Sequence, residues 1–329
     1  MRFPSVKTVF LSLLIIIFFS LHVKAAQDFP NKPIEMIVGF GKGGSTDTLA
    51  RVMAPFLADV LHVPIKIHNI PGRGSATAIE AFLKKKSDGY TILCSAFSPY
   101  LPAAILRKDT SFSMKDLDFL NIQSYGFDIV AVNAKSDIKS LSQFLRFIKE
   151  KTEKLNIAVV ENSSGYLLLR MMFEKMNIPI NNVNIYRYNS GGEARKAIAN
   201  GTMDAIVISS KRTEFIRKFI TPLAIYAKER QLEWDVPTVN EALIPLRIQV
   251  PYVPVYMRGF AVHPSLKKNY PKRYQKLYDA FVLLMAKKSV QRYLKKNKVG
   301  GAWTGSQKST QSLHDSYAIF HKYSYLLDR

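Results

Sequence analysis

Residues 34–47 read IEMIVGFGKGGSTD: an apolar run, a glycine-rich turn, and the polar opening of a new segment. Ile34 to Phe40 is apolar apart from Glu35 and Gly39 and reads as a buried strand. From Asp47 the pattern changes. Leu49, Val52, Met53, Phe56, Leu57, Val60 and Leu61 recur at three-and-four spacing, which predicts a helix over 47–61, with a kink at Pro55. Strand, tight glycine turn and helix in succession make the first half of a βαβ unit and therefore point to a parallel sheet.

The same grammar continues on either side of the chain's midpoint. VPIKIHNI (63–70) reads as a strand, PGRGS as a second glycine loop, 76–86 as a helix, and TILCSAF (91–97) as a strand after the Asp88-Gly89 turn. Beyond residue 150, NIAVV (156–160), the loop ENSSG and a helix over 166–176 are followed by VNIYRY (183–188), NSGG, a helix through Asn200 stopped by Gly201, and DAIVIS (204–209). Ser136 is placed to cap a helix over 137–150. Lys272 to Lys296 is one long amphipathic stretch with Leu277, Phe281, Leu284, Met285 and Leu294 inward. No repeat, low-complexity tract or flexible linker divides the chain, so an α/β molecule of two lobes joined by strand-like crossings is expected.

Composition bounds the function. The 329 residues are 47% hydrophobic and 22% charged, values of a globular protein. A single cysteine, Cys94, rules out an internal disulfide and cysteine-rich zinc modules. It lies in an apolar run and reads as a small core residue. Lys and Arg number 47 against 25 Asp and Glu, a net +22, which directs attention to anionic partners. Residues 1–25 have the form of a secretory leader. Arg2 and Lys7 open it, Val9 to Leu21 is apolar, and Val23-Lys24-Ala25 supplies the small residues for cleavage after Ala25. The apolar run is shorter than the ~20 residues of a membrane span. An exported protein in the periplasm is expected, with no nucleic-acid partner.

Three loops join strand to helix through Gly and Ser: GKGGSTD, ENSSGY and YNSGGEA. A helix start leaves its first N–H groups unpaired and carries about half a positive charge, while glycine admits a guest close to the backbone. Such a place suits an anion. Gly39, Gly41 and Gly44 do match the dinucleotide spacing G-x-G-x-x-G, but the second strand ends Ile67-His68-Asn69 without the acid that holds a ribose. The phosphate loop fails as well, because Gly43 follows Lys42 where Ser or Thr is required. Neither a nucleotide cofactor nor any other is expected.

Catalysis finds little support. The six histidines show no metal-ligand spacing, no G-x-S-x-G elbow occurs, and the S-x-x-K at Ser136–Lys139 lacks its companion motifs. Neither a metal site nor catalytic residues are expected.

The segment FPNKPIEMIVGFGKGGSTDTLAR (29–51) resembles the start of mature Bug-type receptors, the extracytoplasmic solute-binding proteins of tripartite tricarboxylate transporters, whose pattern is close to YPxKPIxxIVPFxxGGxxDxxAR. The likeness continues through NIPGRGSATAIEAF, SDGYTIL, YNSGGEARKAIANGTMDA and DVPTVNEA. The resemblance implies a two-lobed periplasmic-binding-protein fold of type II, each lobe a mostly parallel sheet flanked by helices. Lobe one would be 26–125 plus 230–329, and lobe two 126–229. It further implies a small organic anion, a di- or tricarboxylate, held in the inter-lobe cleft. Contacts carried over are Phe40, Gly43, Gly44, Ser45, Thr46, Asp47 and Ser95 from lobe one, and Ser163, Ser164, Gly165, Tyr188 and Asn189 from lobe two. The sequence departs from the family pattern at Gly39, where proline is usual, at Lys42 and Arg73, and at Ile208, near a position where many members have Asp.

Lys42 and Arg73 are cations beside glycine turns and are candidates to meet a distal carboxylate. Asp47 has two readings, a first-turn acid favouring the helix dipole by ~0.3–1 kcal/mol, or a group orienting Ser45, Thr46 or a cleft water. The cationic stretch from Lys267 to Lys298 is either a solvated face or a peripheral contact with anionic membrane. A monomer is expected, with transporter permease subunits or a sensor as partners. The rival readings are an exported enzyme acting on a small anion, or a polycationic adhesion protein.

Overall fold

The computed structural model describes residues 29–327 other than 108, 109, 151, 152, 162 and 189. The expected leader and Asn189 therefore lie outside the described residues. Ten strands are found among the described residues: β1 (Ile34–Val38), β2 (Ile65–Asn69), β3 (Thr91–Ser98), β4 (Asp118–Gly126), β5 (Asp128–Asn133), β6 (Leu155–Val160), β7 (Val183–Tyr188), β8 (Ala205–Ser209), β9 (Ile220–Tyr226) and β10 (Val255–Val262). They form two five-stranded sheets, ordered β2-β1-β3-β10-β4 and β7-β6-β8-β5-β9. In the first, β1 is parallel to β2 and β3, and β10 runs antiparallel between β3 and β4. The second repeats the plan, with β6 parallel to β7 and β8 and with β5 as the antiparallel insert. Each sheet thus takes its one reversed strand from a chain arriving from the other.

The inner strands are buried on both faces, which is why β8, and β1 apart from the partly buried Glu35, read as apolar runs. Met36 and Val38 face a cluster with Leu49, Met53 and Leu57 of the helix Ser45–Leu61, and with Phe260 and Phe281. Ile37 faces the opposite cluster, with Ile79, Phe82, Leu93 and Phe97. In the second sheet, Val130, Ile157, Val159 and Val207 pack under the helix Ser164–Met176, and Ile129, Ala158, Ile206 and Ile208 under the helix Gly191–Ala199. Cys94 is fully buried, as its apolar context predicts.

Phe127 alone separates β4 from β5, so one crossing between the sheets is very short. The return runs through 227–254, where Val239, Leu243, Val250 and Val253 join the second sheet's core. The C-terminal helix Gly305–Lys322 also spans the two bodies: Leu313 packs in a first-sheet cluster and Phe320 in a second-sheet one. Beyond it, the Tyr325 hydroxyl donates to Glu174 Oε1 at 2.6 Å.

Several local expectations change. The first helix begins at Ser45 and is continuous through Pro55. Ser136 does not cap a helix over 137–150; its hydroxyl accepts from the Ile138 N–H at 3.2 Å in a turn, and the helix is Leu141–Glu150. The 272–296 stretch is two helices, Pro271–Ala286 and Lys288–Lys296, broken where Lys287 turns extended with ψ 120°. Among its cations, Arg273 serves the fold, donating to the Asp88 carbonyl at 2.9 Å and lying over the Phe29, Tyr90 and Tyr270 rings.

Candidate functional site

In each sheet the connections leave in opposite directions from two neighbouring parallel strands, β1 and β3 in one and β6 and β8 in the other. At such a switch point a crevice opens beyond the strands' carboxyl ends. Here both crevices open on one gap. A chamber of about 560 Å³ is lined by Phe40, Arg73, Ser75, Tyr100 and Arg107 from the first body, and by Val160, Glu161, Ser190 and Gly191 from the second. It adjoins, through Tyr100, Val160, Ser190 and Gly191, a smaller chamber of about 230 Å³. The smaller chamber is lined by Gly44, Ser45, Ser190, Gly191, Gly192, Arg195, Ile208, Ser209, Lys211, Arg212, Tyr256 and Arg258.

The first-body loop is held by Asp47. Its buried carboxylate accepts from the Gly43 N–H at 2.8 Å, Arg51 Nε at 2.9 Å and Asn69 Nδ2 at 2.8 Å. Asn69 Nδ2 also donates to the Phe40 carbonyl at 2.8 Å, so one amide fastens both ends of the turn. Burial works against charge at Asp47, but the three donors outweigh it and hold the carboxyl below the usual carboxylate range. Asp47 thus stands behind the loop rather than in the chamber. Gly43 has φ +79°, a conformation that favours glycine. Gly44 is the helix N-cap and presents no side chain there. Phe40 leans on Tyr100 with ring centroids 5.2 Å apart.

On the second body Ser190 caps the helix Gly191–Ala199 through a capping box, its hydroxyl accepting from the Glu193 N–H at 3.3 Å while Glu193 accepts from Ser190 N–H. The starts of this helix and of Ser45–Leu61 therefore meet in the smaller chamber, one from each body. A direct link crosses beside them, Arg212 Nη1 donating to the Gly43 carbonyl at 3.1 Å.

The structure gathers Phe40, Gly44, Ser45 and Arg73 at the two chambers, and Gly43 at an adjoining mouth of about 300 Å³ beside Lys211 and Arg212. Other candidates stand one layer back. Thr46 is buried under the loop, and its carbonyl accepts from the Cys94 thiol at 3.8 Å. Ser95 pairs with Ser75, Oγ to Oγ 2.6 Å, in space that exists because Gly39 lacks a side chain: a Cβ there would lie 2.0 Å from Ser75 Oγ. Ser163 caps its helix by accepting from Tyr166 N–H. Gly165 lets that helix approach β8, since a Cβ would sit 2.4 Å from the Val207 carbonyl oxygen. Tyr188 ends β7, half-buried against the second sheet's core. Lys42 is exposed and lines neither chamber. Arg73 does line the larger one, but it is ion-paired with Glu80.

Sequence reasoning missed the cations. Arg195, Lys211, Arg212 and Arg258 all line the smaller chamber, and no carboxylate does. Arg195 donates to Thr213 Oγ1 at 3.0 Å and to the Lys211 carbonyl at 2.7 Å. Lys211 reaches Ser124 Oγ at 3.5 Å. None of the four forms an ion pair among the described residues. Burial, followed by the nearby Arg258 charge, lowers Lys211 to about 8. Also missed was Asp128, the first residue after the short crossing. It is fully buried and accepts from Ser164 Oγ and the Tyr256 hydroxyl, each at 2.5 Å. Burial, only partly offset by those donors, raises its carboxyl to about 6.

Two α/β bodies, a double crossing and a cleft walled by helix starts from both sides define a two-lobed solute-binding protein. The chain belongs to the tripartite tricarboxylate transporter receptor family, whose model matches residues 49–321. It is 31% identical over 237 residues to Protein BugT of Bordetella pertussis, covering 70% of this chain and 72% of that one. It is 25% identical over 291 residues, covering 87% and 84%, to a UPF0065 protein in the gbd 5' region of Cupriavidus necator. Among solved structures, it is similar to Rpa4515 of R. palustris with adipate, at TM-score 0.74 and 18% identity over 91% of this chain and 98% of that one. It is likewise similar to MatC of Rhodopseudomonas palustris with bound malate, at TM-score 0.68 and 22% identity over 91% and 99%. These structural neighbours share the two-lobed fold.

Proposed function

We propose that this receptor captures a small organic anion, a di- or tricarboxylate, between its lobes, and that the closed form is read by permease subunits of a tripartite transporter or by a sensor. The carrying observation is the meeting of two helix starts, at Gly44–Ser45 and Ser190–Gly192, across a chamber lined by four cations and no acid. Peptide dipoles and fixed positive charge from opposed walls favour an anion that touches both, and such a ligand stabilises the closed arrangement over the open one. The bound adipate and malate of two structural neighbours support the same ligand class. The receptor binds and releases its solute without transforming it. It acts outside the cytoplasm, as the leader-like N-terminus and the family indicate.

A thermal-shift screen over mono-, di- and tricarboxylates, amino acids and aromatic acids tests this. A ligand at ~100 times its dissociation constant adds ~2.7 kcal/mol, an upward shift of a few degrees in a chain of this size. A di- or tricarboxylate among the stabilisers is expected; a flat response across every carboxylate would contradict the reading.

A further inference from the structure

Arg258 lies over the Tyr256 ring, 5.8 Å from its centroid, but much of its hydrogen-bonding capacity is unused. It sits in β10, the strand that crosses back into the first sheet, with register shifts against β3 and β4 beside it. Irregularities of this kind re-aim side chains next to functional sites. The residue is only 6% exposed, yet Nε and Nη1 have no hydrogen-bond partner. A buried guanidinium with unmade bonds is costly, and chains keep such groups where a partner arrives later. It lines the smaller chamber together with Lys211, Arg195 and Arg212. Glu214 and Glu233 stand near enough to favour charge on Lys211, but neither is ion-paired to it.

A single carboxylate on the two helix starts would leave this positive charge largely uncompensated. We infer that the 230 Å³ chamber is a double-acid site: one carboxylate of the ligand meets the helix starts at Ser45 and Gly191, and a second, on a neighbouring carbon, meets Arg258 and Lys211. The rest of the solute extends past Tyr100 into the larger chamber. Arg258 and Lys211 are then specificity residues that select against ligands whose acid groups are single or far apart. This rests on the carboxylate-receptor reading above.

Propane-1,2,3-tricarboxylate and glutarate test it cleanly, because they share a five-carbon acid chain and differ by the central carboxylate alone. Titration calorimetry at pH 7 is expected to show the tricarboxylate binding at least about tenfold tighter, the discrimination a second buried charge contact supplies. In Arg258→Met that ratio falls to about threefold or less, chiefly through weaker tricarboxylate binding, and Lys211→Met moves it the same way. Ligand-free Arg258→Met melts no lower than the parent, since an unpaired buried charge has been removed. Equal affinities for the two acids in the parent would overturn the inference. So would equal losses for both acids in the variants together with a lower melting temperature, the signature of a scaffold residue. Failure of every carboxylate to bind the parent would instead sink the receptor reading and this one with it.

Discussion

Single residues divide here into those that shape the cleft and those that face it. Asp47 shapes it: three donors converge on one buried carboxylate to hold the Phe40–Gly44 turn. Asp47→Ala would take the acceptor from the Gly43 N–H and Arg51 Nε and leave Asn69 Nδ2 only the Phe40 carbonyl, at a cost of about 2–3 kcal/mol in chemical denaturation, with weaker ligand binding alongside. Asp128 provides a pH signature. Its folded value near 6 lies above the ordinary carboxylate range, so the folded state binds the extra proton. Its contribution is therefore fully present below about pH 4 and is lost as pH rises through 6, on the order of 2–3 kcal/mol. Asp128→Asn should flatten that part of the stability-against-pH curve. Lys211 provides a second pH signature, read in binding. Burial and the Arg258 charge outweigh the opposing pull of Glu214 and Glu233, so it loses its charge above about 8. Affinity for a di- or tricarboxylate should fall as pH rises through that value in the parent and much less in Lys211→Met, read by calorimetry.

At the scale of elements, the parallel units were legible because each carries its own local grammar of apolar run, glycine turn and amphipathic helix. IEMIVGF and DAIVIS announce buried strands, and YNSGGEA announces a helix start. The antiparallel inserts were not legible. β5 and β10 owe their place to partners far away in sequence, Val130 to Val207 and Arg258 to Ala96, and no turn or helix beside them marks the pairing. The site divides in the same way. The helix-start loops could be read, but Arg258, Lys211 and Arg195 looked like three more charges in a very basic chain, and their burial comes only from the meeting of two lobes. Glycine's meaning also shifted. Gly165 resembles an anion loop in sequence, yet it serves the close approach of helix to β8. Gly165→Ala should cost about 1–3 kcal/mol through the clash with the Val207 carbonyl, with ligand preference unchanged.

The whole molecule is two copies of one plan joined so that each lends the other a reversed strand, and this exchange places a shared cleft at the switch points of both sheets. Short passage at Phe127 and the straddling C-terminal helix keep the lobes in register while leaving the gap open to solute. Positive charge, spread over the surface, is concentrated without acidic counterweight in the smaller chamber. The function proposed at this scale is closure of two walls upon one anion, so the most direct measurement is a crystal structure of the protein with its strongest-stabilising carboxylate. The ligand is expected between the lobes, with acid oxygens within hydrogen-bond distance of the backbone at Ser45 and at Gly191. Ligand density on one lobe only, for instance in the surface hollow beside Asn133, Ser136 and Asp204, would contradict it.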